Sequence, residues 1–193
     1  MNSISVFCGS SQGNDAKIVE TARDLGRTLA MRGITLVYGG TQVGLMGTLA
    51  NAALENQGRV IGVIPGFLAP KEIIHPKVKE MILVGTMHQR KMKMHELSDG
   101  SLALPGGYGT LEELFEMITW GQLGLHQKPI GLLNSGGFFD GLLSFMDTMV
   151  SKGFLKMEHR DMVLVDGSCT GLLEKMEAYR PVLAPKWIKK EQT

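Results

Sequence analysis

The residues best suited to chemistry lie in one glycine-rich stretch, residues 105–113, which reads Pro-Gly-Gly-Tyr-Gly-Thr-Leu-Glu-Glu. The apolar run before it, residues 101–104, predicts a buried strand, and residues 111–125 predict a helix. A strand that turns through glycines into a helix presents free backbone N–H groups at the positive end of the helix dipole. Such a turn binds anions. Thr110 is predicted either to cap the helix or to donate its hydroxyl to a phosphate, and Glu113 follows within the first turn.

A pair of adjacent cations, Arg90 and Lys91, forms the second candidate. They lie in a predicted helix over residues 86–97, inside an apolar stripe formed by Met87, Met94 and Leu97. A charge in a core-facing stripe is costly unless it meets an anion. The pattern leaves two alternatives: the pair faces a ligand, or the side chains reach solvent or a structural carboxylate.

Glu113 has an unusual predicted setting on its helix. The stripe expected to face the sheet consists of Leu111, Leu114, Phe115 and Ile118, and Glu113 points nearly opposite to it. Met117 and Trp120 lie on the same side as Glu113, which favours contact with a second subunit rather than full solvation. The helix dipole alone, however, explains acidic residues in a first turn, so periodicity assigns no catalytic role to Glu113.

Seven short apolar segments alternate with helical ones along the chain. This alternation predicts an α/β fold, a Rossmann-like doubly wound and mainly parallel sheet of about seven strands with helices on both faces. The carboxyl ends of the strands then share one edge, where the glycine-bearing loops 8–13, 39–47 and 105–110 come together. We expect one nucleotide-binding domain over residues 1–184 and a polar tail over 185–193.

The composition excludes several classes of function. A formal net charge of +1 in 193 residues gives no field for nucleic acid or an anionic membrane. We expect no signal peptide and no membrane span, and the two cysteines favour free thiols in a reducing cytoplasm. Cysteines and histidines lack metal-ligand spacing, so no metal is expected. The glycine loops match neither a Walker A motif nor a dinucleotide fingerprint.

The three segments 39–47, 90–91 and 105–113 together resemble the LOG (Lonely Guy) family, and the resemblance covers nearly the whole chain. Arg-Lys followed by Pro-Gly-Gly-x-Gly-Thr-x-x-Glu is highly specific to it. Members are nucleoside 5′-monophosphate phosphoribohydrolases that release cytokinin bases, and an older label for such sequences is possible lysine decarboxylase. One departure is residues 99–104, Asp-Gly-Ser-Leu-Ala-Leu, where many relatives carry Ala-Phe-Ile-Ala. It leaves the matched residues intact, although strand packing and base preference can differ.

The resemblance implies hydrolysis of AMP or an N6-prenylated AMP to the free base and ribose 5-phosphate, without a cofactor, by a homodimer. It places the catalytic pair on Arg90 and Glu113. It places substrate binding on Glu72, Met87, Arg90, Lys91, Gly106, Gly107, Tyr108, Gly109, Thr110, Leu111, Glu112, Glu113 and Thr119. The alternative is a protein of the same fold that carries a nucleotide or a phosphorylated cofactor without turning it over.

Overall fold

Short segments that are almost wholly apolar form one seven-stranded sheet in the computed structural model, which describes residues 1–68 and 74–181. Strands buried along their whole length need cover on both faces, and the third, fifth and sixth are of this kind. In chain order the strands are β1 (Ser3–Phe7), β2 (Thr35–Tyr38), β3 (Val60–Pro65), β4 (Glu80–Val84), β5 (Gly100–Ala103), β6 (Ile130–Leu133) and β7 (Val163–Asp166).

Helices cover both faces of the sheet. Their bounds are α1 (Ala16–Met31), α2 (Gly44–Glu55), α3 (Met87–Glu96), α4 (Tyr108–Gln122), α5 (Asp140–Ser151), α6 (Met157–Arg160) and α7 (Cys169–Ala178), with a 3-10 turn at Ser135–Gly137. Buried residues of α1, α2 and α7 pack in one apolar core. Those of α3, α4 and α5 pack in a second core on the opposite face.

The strands lie in the order β4-β3-β2-β1-β5-β6-β7, and every adjacent pair is parallel. The chain winds outward from β1 to β4 and then returns to place β5 beside β1, with Phe7 opposite Ala103. The predicted doubly wound α/β fold is confirmed. In such folds ligands bind where the winding direction changes, here at the carboxyl ends of β1 and β5.

Two helices begin earlier than the sequence predicts. Helix α4 starts at Tyr108 rather than Leu111, with Gly107 at its N-cap, so Thr110 is a residue of the first turn and not the cap. Helix α2 starts at Gly44, although the glycine pattern places its start after Gly47. Glycine is a poor helix former, and the pattern therefore delays each helix until the glycines end. Tertiary packing overrides that preference at both turns.

Met117 lies in the core, contrary to its predicted place on an outer face with Glu113. It is 1% exposed and packs with Leu114 and Ile118. The ring of Trp120 packs partly against the same core and meets the ring of His95 edge-on at 5.6 Å. Helix α4 therefore buries more of its circumference than the single apolar stripe predicted from the sequence.

The segment that departs from the family pattern forms polar contacts with the central strand β1. The Asp99 carboxylate accepts hydrogen bonds from the backbone N–H groups of Asn2, at 2.6 Å, and Ser3, at 3.2 Å. The hydroxyl oxygens of Ser5 and Ser101 lie 2.8 Å apart in the core. Asp99 and Ser101 of this segment thus help to join β5 to β1.

The tail predicted at 185–193 lies outside the described residues. Within the part of the chain that the structure describes, each helix is too short or too polar to cross a bilayer.

The buried Ser5–Ser101 pair makes a stability prediction. Ser5→Ala leaves the Ser101 hydroxyl without this partner in the core, which costs about 1–2 kcal/mol. Ser101→Ala costs less, because the Ser5 hydroxyl still donates to the Gly100 carbonyl at 3.3 Å. We expect Ser5→Ala to lower the free energy of urea unfolding by that amount, Ser101→Ala to lower it less, and the double variant to lose less than the sum. Strict additivity in this cycle would contradict the pairing.

Candidate active site

A cavity of about 290 Å³ opens at the carboxyl ends of β1 and β5. The loops after β1 and β2, helix α3 and the first two turns of α4 surround it. The three glycine-bearing loops therefore do converge on one edge of the sheet. The residues expected to bind substrate that line this cavity are Met87, Arg90, Gly107, Tyr108, Gly109, Thr110 and Glu113.

The other expected residues lie elsewhere. Gly106 borders a neighbouring cavity of about 340 Å³ on the far side of the turn. The lining of the first cavity does not include Lys91, Leu111, Glu112 or Thr119, all of which are described. Glu72 lies outside the described residues.

The start of α4 forms the anion-binding part of the cavity. Gly107 at the N-cap has no side chain to satisfy the first-turn N–H groups, so they are open to a ligand. A Cβ on Gly106 would overlap the Thr110 hydroxyl, which explains why a glycine stands there. Backbone hydrogen bonds of 3.1 Å fix the turn, since Gly9 N donates to Pro105 O and Leu45 N donates to Gly9 O.

Arg90 is a buried cation at the cavity wall. It is 7% exposed, and its Nη2 donates to the carbonyl of Gly39 at 3.3 Å. A Cβ on Gly39 would overlap this guanidinium, so the glycine makes room for it. Within residues 1–68 and 74–181, its Nε has no hydrogen-bond partner and no carboxylate forms an ion pair with it. A buried charge in this state favours binding of an anion at the cavity wall.

Glu113 is the carboxylate of the cavity. Burial raises its pKa from 4.5 to about 7, an effect that Arg90 and Lys91 oppose and that Glu112 and Glu116 reinforce. Glu113 therefore exchanges its proton near neutral pH, which suits proton transfer or stabilisation of a developing positive charge.

The two cations of α3 have different surroundings. Arg90 lines the cavity, while Lys91 forms ion pairs with Glu112 and Glu116. Of the two alternatives left open by the sequence, the first thus describes Arg90 and the second describes Lys91. Adjacent helical residues point about 100° apart, so a helix can turn one cation to a ligand and the next to a neighbouring helix.

Sulfur-containing side chains complete the wall, and the sequence argument did not assign them to the site. They are Cys8, Met46 and Met94. Burial, and next to it the Glu113 charge, raises the pKa of the Cys8 thiol, so it stays neutral and is not a nucleophile. Two signals could have found them. Cys8 directly follows the first predicted strand, and Met94 lies four residues after Arg90 in the same stripe.

Comparison with known proteins finds one matching family model and several similar enzymes. A family model described as possible lysine decarboxylase matches residues 46–176. The cytokinin riboside 5′-monophosphate phosphoribohydrolase LOG4 of Arabidopsis thaliana is 49% identical over 178 residues, which cover 92% of this chain and 83% of that protein. A probable enzyme of the same name, LOGL1 of Oryza sativa subsp. japonica, is 50% identical over 176 residues, which cover 91% of this chain and 79% of that protein.

Solved structures share the architecture at lower sequence identity. The molybdenum cofactor binding protein from Rippkaea orientalis has a TM-score of 0.69 and 24% identity, covering 92% of this chain and 96% of that chain. The molybdenum cofactor carrier protein from Chlamydomonas reinhardtii has a TM-score of 0.69 and 22% identity, with the same coverage of 92% and 96%. At these identities the likeness shows the fold alone.

The raised pKa of Glu113 makes a prediction about stability. The unfolded carboxyl ionises above its ordinary value of 4.5, but the folded one keeps its proton until about 7. Its contribution to stability is therefore present below pH 4.5 and lost as the pH rises through 7. We expect Glu113→Gln, which cannot ionise, to be more stable than the parent by about 1–3 kcal/mol at pH 8 and nearly equal to it at pH 5.

Urea unfolding at the two pH values measures this difference. The matched control is Glu55→Gln, which removes a carboxylate at an exposed position of α2 outside the cavity. An equal effect of Glu113→Gln at both pH values would show that burial does not shift this carboxyl.

Proposed function

This chain belongs to the LOG (Lonely Guy) family, and we propose that it hydrolyses the N-glycosidic bond of a nucleoside 5′-monophosphate, AMP or an N6-prenylated AMP. The products are adenine or the corresponding cytokinin base and ribose 5-phosphate. One observation carries the proposal: a buried cation, Arg90, and a carboxylate that titrates near neutrality, Glu113, face the same cavity as the open start of α4.

The 5′-phosphate is proposed to bind at the start of α4. The free N–H groups and the helix dipole favour an anion there, and the uncapped turn of Gly107 and Gly109 lets its oxygens approach the backbone. Glu113 lies one turn further along the same helix, from which it faces the ribose. Binding energy from the phosphate then holds the sugar in place while the bond at C1′ breaks.

Glu113 acts at the ribose. Breaking the bond between C1′ and the base nitrogen leaves its electron pair on the base and builds positive charge on the ribose ring. Water adds its hydroxyl to C1′, and its remaining proton goes to the departing base. The ionised Glu113 stabilises the ring charge or accepts the proton from water, and a pKa of about 7 suits either role.

Arg90 compensates negative charge. Its guanidinium is held through Gly39 at the cavity wall, with its Nε facing no described acceptor. In the complex it binds the phosphate or stabilises the negative charge that develops on the departing base. The Arg90 and Glu113 roles thus address opposite charges that form in the same step.

The two other functions suggested by names have less support. A pyridoxal-dependent decarboxylase needs a lysine at the reacting centre, and no described lysine lines this cavity. A carrier of a phosphorylated cofactor needs the anion site but not a buried carboxylate tuned to neutral pH. The likeness to cofactor carriers is one of fold.

Hydrolysis is tested by incubating the protein with AMP and with N6-prenylated AMP and following the free base by chromatography. We expect release of base from at least one of them. Glu113→Gln and Arg90→Met are each expected to lower kcat/KM by about 100-fold or more, because each removes compensation of a charge formed in the transition state. The ratio of kcat/KM between the two substrates gives the base preference.

Exposed Glu55→Gln is the control, and it should hydrolyse at the parent rate. Circular dichroism establishes that each variant is folded. Folded parent protein that retains an intact nucleotide and releases no base from any 5′-monophosphate would contradict the hydrolase and favour the carrier.

We also propose a homodimer, with the outer faces of α3 and α4 near the interface, as the family resemblance implies. Exposed apolar side chains on these helices support this arrangement: Met92 of α3 is 44% exposed and Tyr108 of α4 is 94% exposed.

Both cysteines are free, which supports the cytoplasmic location proposed for the protein.

Light scattering after size-exclusion chromatography tests the assembly. We expect the mass of two 21.0 kDa chains. Met92→Glu should weaken the dimer because it introduces charge into an apolar contact, whereas Met157→Glu, at a 57% exposed position on α6, should not. A single-chain mass for the parent at working concentration would contradict the dimer.

A further inference from the structure

Lys91 is a buried cation that points away from the cavity. Its side chain is 5% exposed, and its Nζ lies 2.5 Å from Glu112 Oε1 and 3.1 Å from Glu116 Oε2. Burial by itself lowers the pKa of the ammonium, but the two carboxylates more than offset this and raise it above the ordinary value. Lys91 therefore stays charged, and its ammonium group is bound by two carboxylates of α4.

These contacts, together with the edge-on contact of His95 with Trp120, join two helices that pack on different strands of the sheet. Helix α3 packs on β3 and β4, and α4 packs on β5 and β1. Among residues 1–68 and 74–181, the ion pairs of Lys91 are the only ones that connect α3 to α4. The cavity lies between the same two helices, with Arg90 on one and Glu113 on the other.

The residues of the ion pair are direct sequence neighbours of the two charged residues that line the cavity. Arg90 precedes Lys91 on α3, and Glu112 precedes Glu113 on α4. Any shift of α3 along α4 that separates Lys91 from Glu112 also moves Arg90 relative to Glu113. We propose that Lys91 is a positioning residue: its ion pairs with Glu112 and Glu116 fix α3 against α4 and thereby set the spacing of Arg90 and Glu113 across the cavity.

The inference rests on the proposed function, and it assigns to Lys91 a role different from the substrate contact implied by the family resemblance. A residue that binds substrate would affect mainly KM. A residue that positions the two charges affects mainly kcat, because misplacement of reacting groups by about 1 Å lowers rates by about 100-fold.

Lys91 also acts on Glu113 through its charge. The charged or titratable groups that face Glu113 are Arg90, Lys91, Glu112, Glu116 and the thiol of Cys8. Lys91 lowers the pKa of Glu113, while Glu112 raises it. Removing one partner of the ion pair must therefore move the titration of Glu113 in the direction opposite to removing the other.

The experiment compares Lys91→Met, Lys91→Arg and Glu112→Gln with the parent in AMP hydrolysis across pH. We expect Lys91→Met to lower kcat by about 10- to 100-fold with KM changed less than about 3-fold, and Lys91→Arg to restore most of the loss. The limb of the pH profile that reports Glu113 should move to higher pH in Lys91→Met and to lower pH in Glu112→Gln, each by about half a pH unit.

Lys93→Met is the matched control. Lys93 lies on the same helix and forms an ion pair with Glu96, but that pair stays within α3 and is exposed. It should leave kcat and the pH profile unchanged, since exposed pairs of this kind contribute little.

A raised KM with unchanged kcat in Lys91→Met would overturn the proposal, because it would place Lys91 on the substrate. Parent-like kinetics, or limbs that move in the same direction in the two variants, would overturn it as well. If Lys91→Met does not fold, Glu112→Gln and Lys91→Arg carry the test.

Absence of base release by the parent protein would refute the proposed function rather than this inference. NMR contacts between side chains of α3 and α4, compared in the parent, Lys91→Met and Lys93→Met, then decide: contacts weakened by Lys91→Met alone support the positioning role, and contacts unchanged in both variants refute it.

Discussion

The burial of the Arg90 guanidinium beside the uncapped start of α4 dictates what its neighbours can be. A cation that is 7% exposed needs acceptors, and the carbonyl of Gly39 provides one only because a glycine leaves space for the guanidinium. The stripe of α3 that would otherwise be a plain apolar face becomes one wall of a cavity. The sheet winding supplies the opposite wall, since it brings the loops after β1, β2 and β5 to the same edge.

The fold could be derived from the sequence to a large extent. Apolar segments of four to six residues, separated by helical patterns, are sufficient to specify a parallel sheet covered on both faces. Helix starts were less accessible, because Gly44 and Gly109 lie inside first turns that local propensity disfavours. The prediction that Met117 lies on an outer face is wrong for a different reason. Periodicity gives the direction of a side chain but not the breadth of the surface that covers the helix.

The site could be predicted in part. The sequence alone indicates an anion site in the turn at residues 105–113 and two charges within the apolar stripe of α3. Periodicity could not separate Arg90 from Lys91, because that requires knowing on which side of α3 the next helix lies. Nor could it assign Cys8 or Met46, whose place in the wall results from the way the strands bring distant loops together. The raised pKa of Glu113 depends on burial, which a sequence pattern does not measure.

The sulfur-lined wall gives the two ends of the cavity different mechanical character. At the start of α4, the ligand meets backbone groups fixed by hydrogen bonds between loops, and these cannot rearrange without disturbing the turn. At Met46, Met87 and Met94, it meets unbranched, polarizable thioethers that can change rotamer at little cost. A substrate bound as proposed would thus be held rigidly at its phosphate and loosely at its base. Side-chain motion of the methionines would then accommodate different bases without moving the phosphate or the bond to be broken.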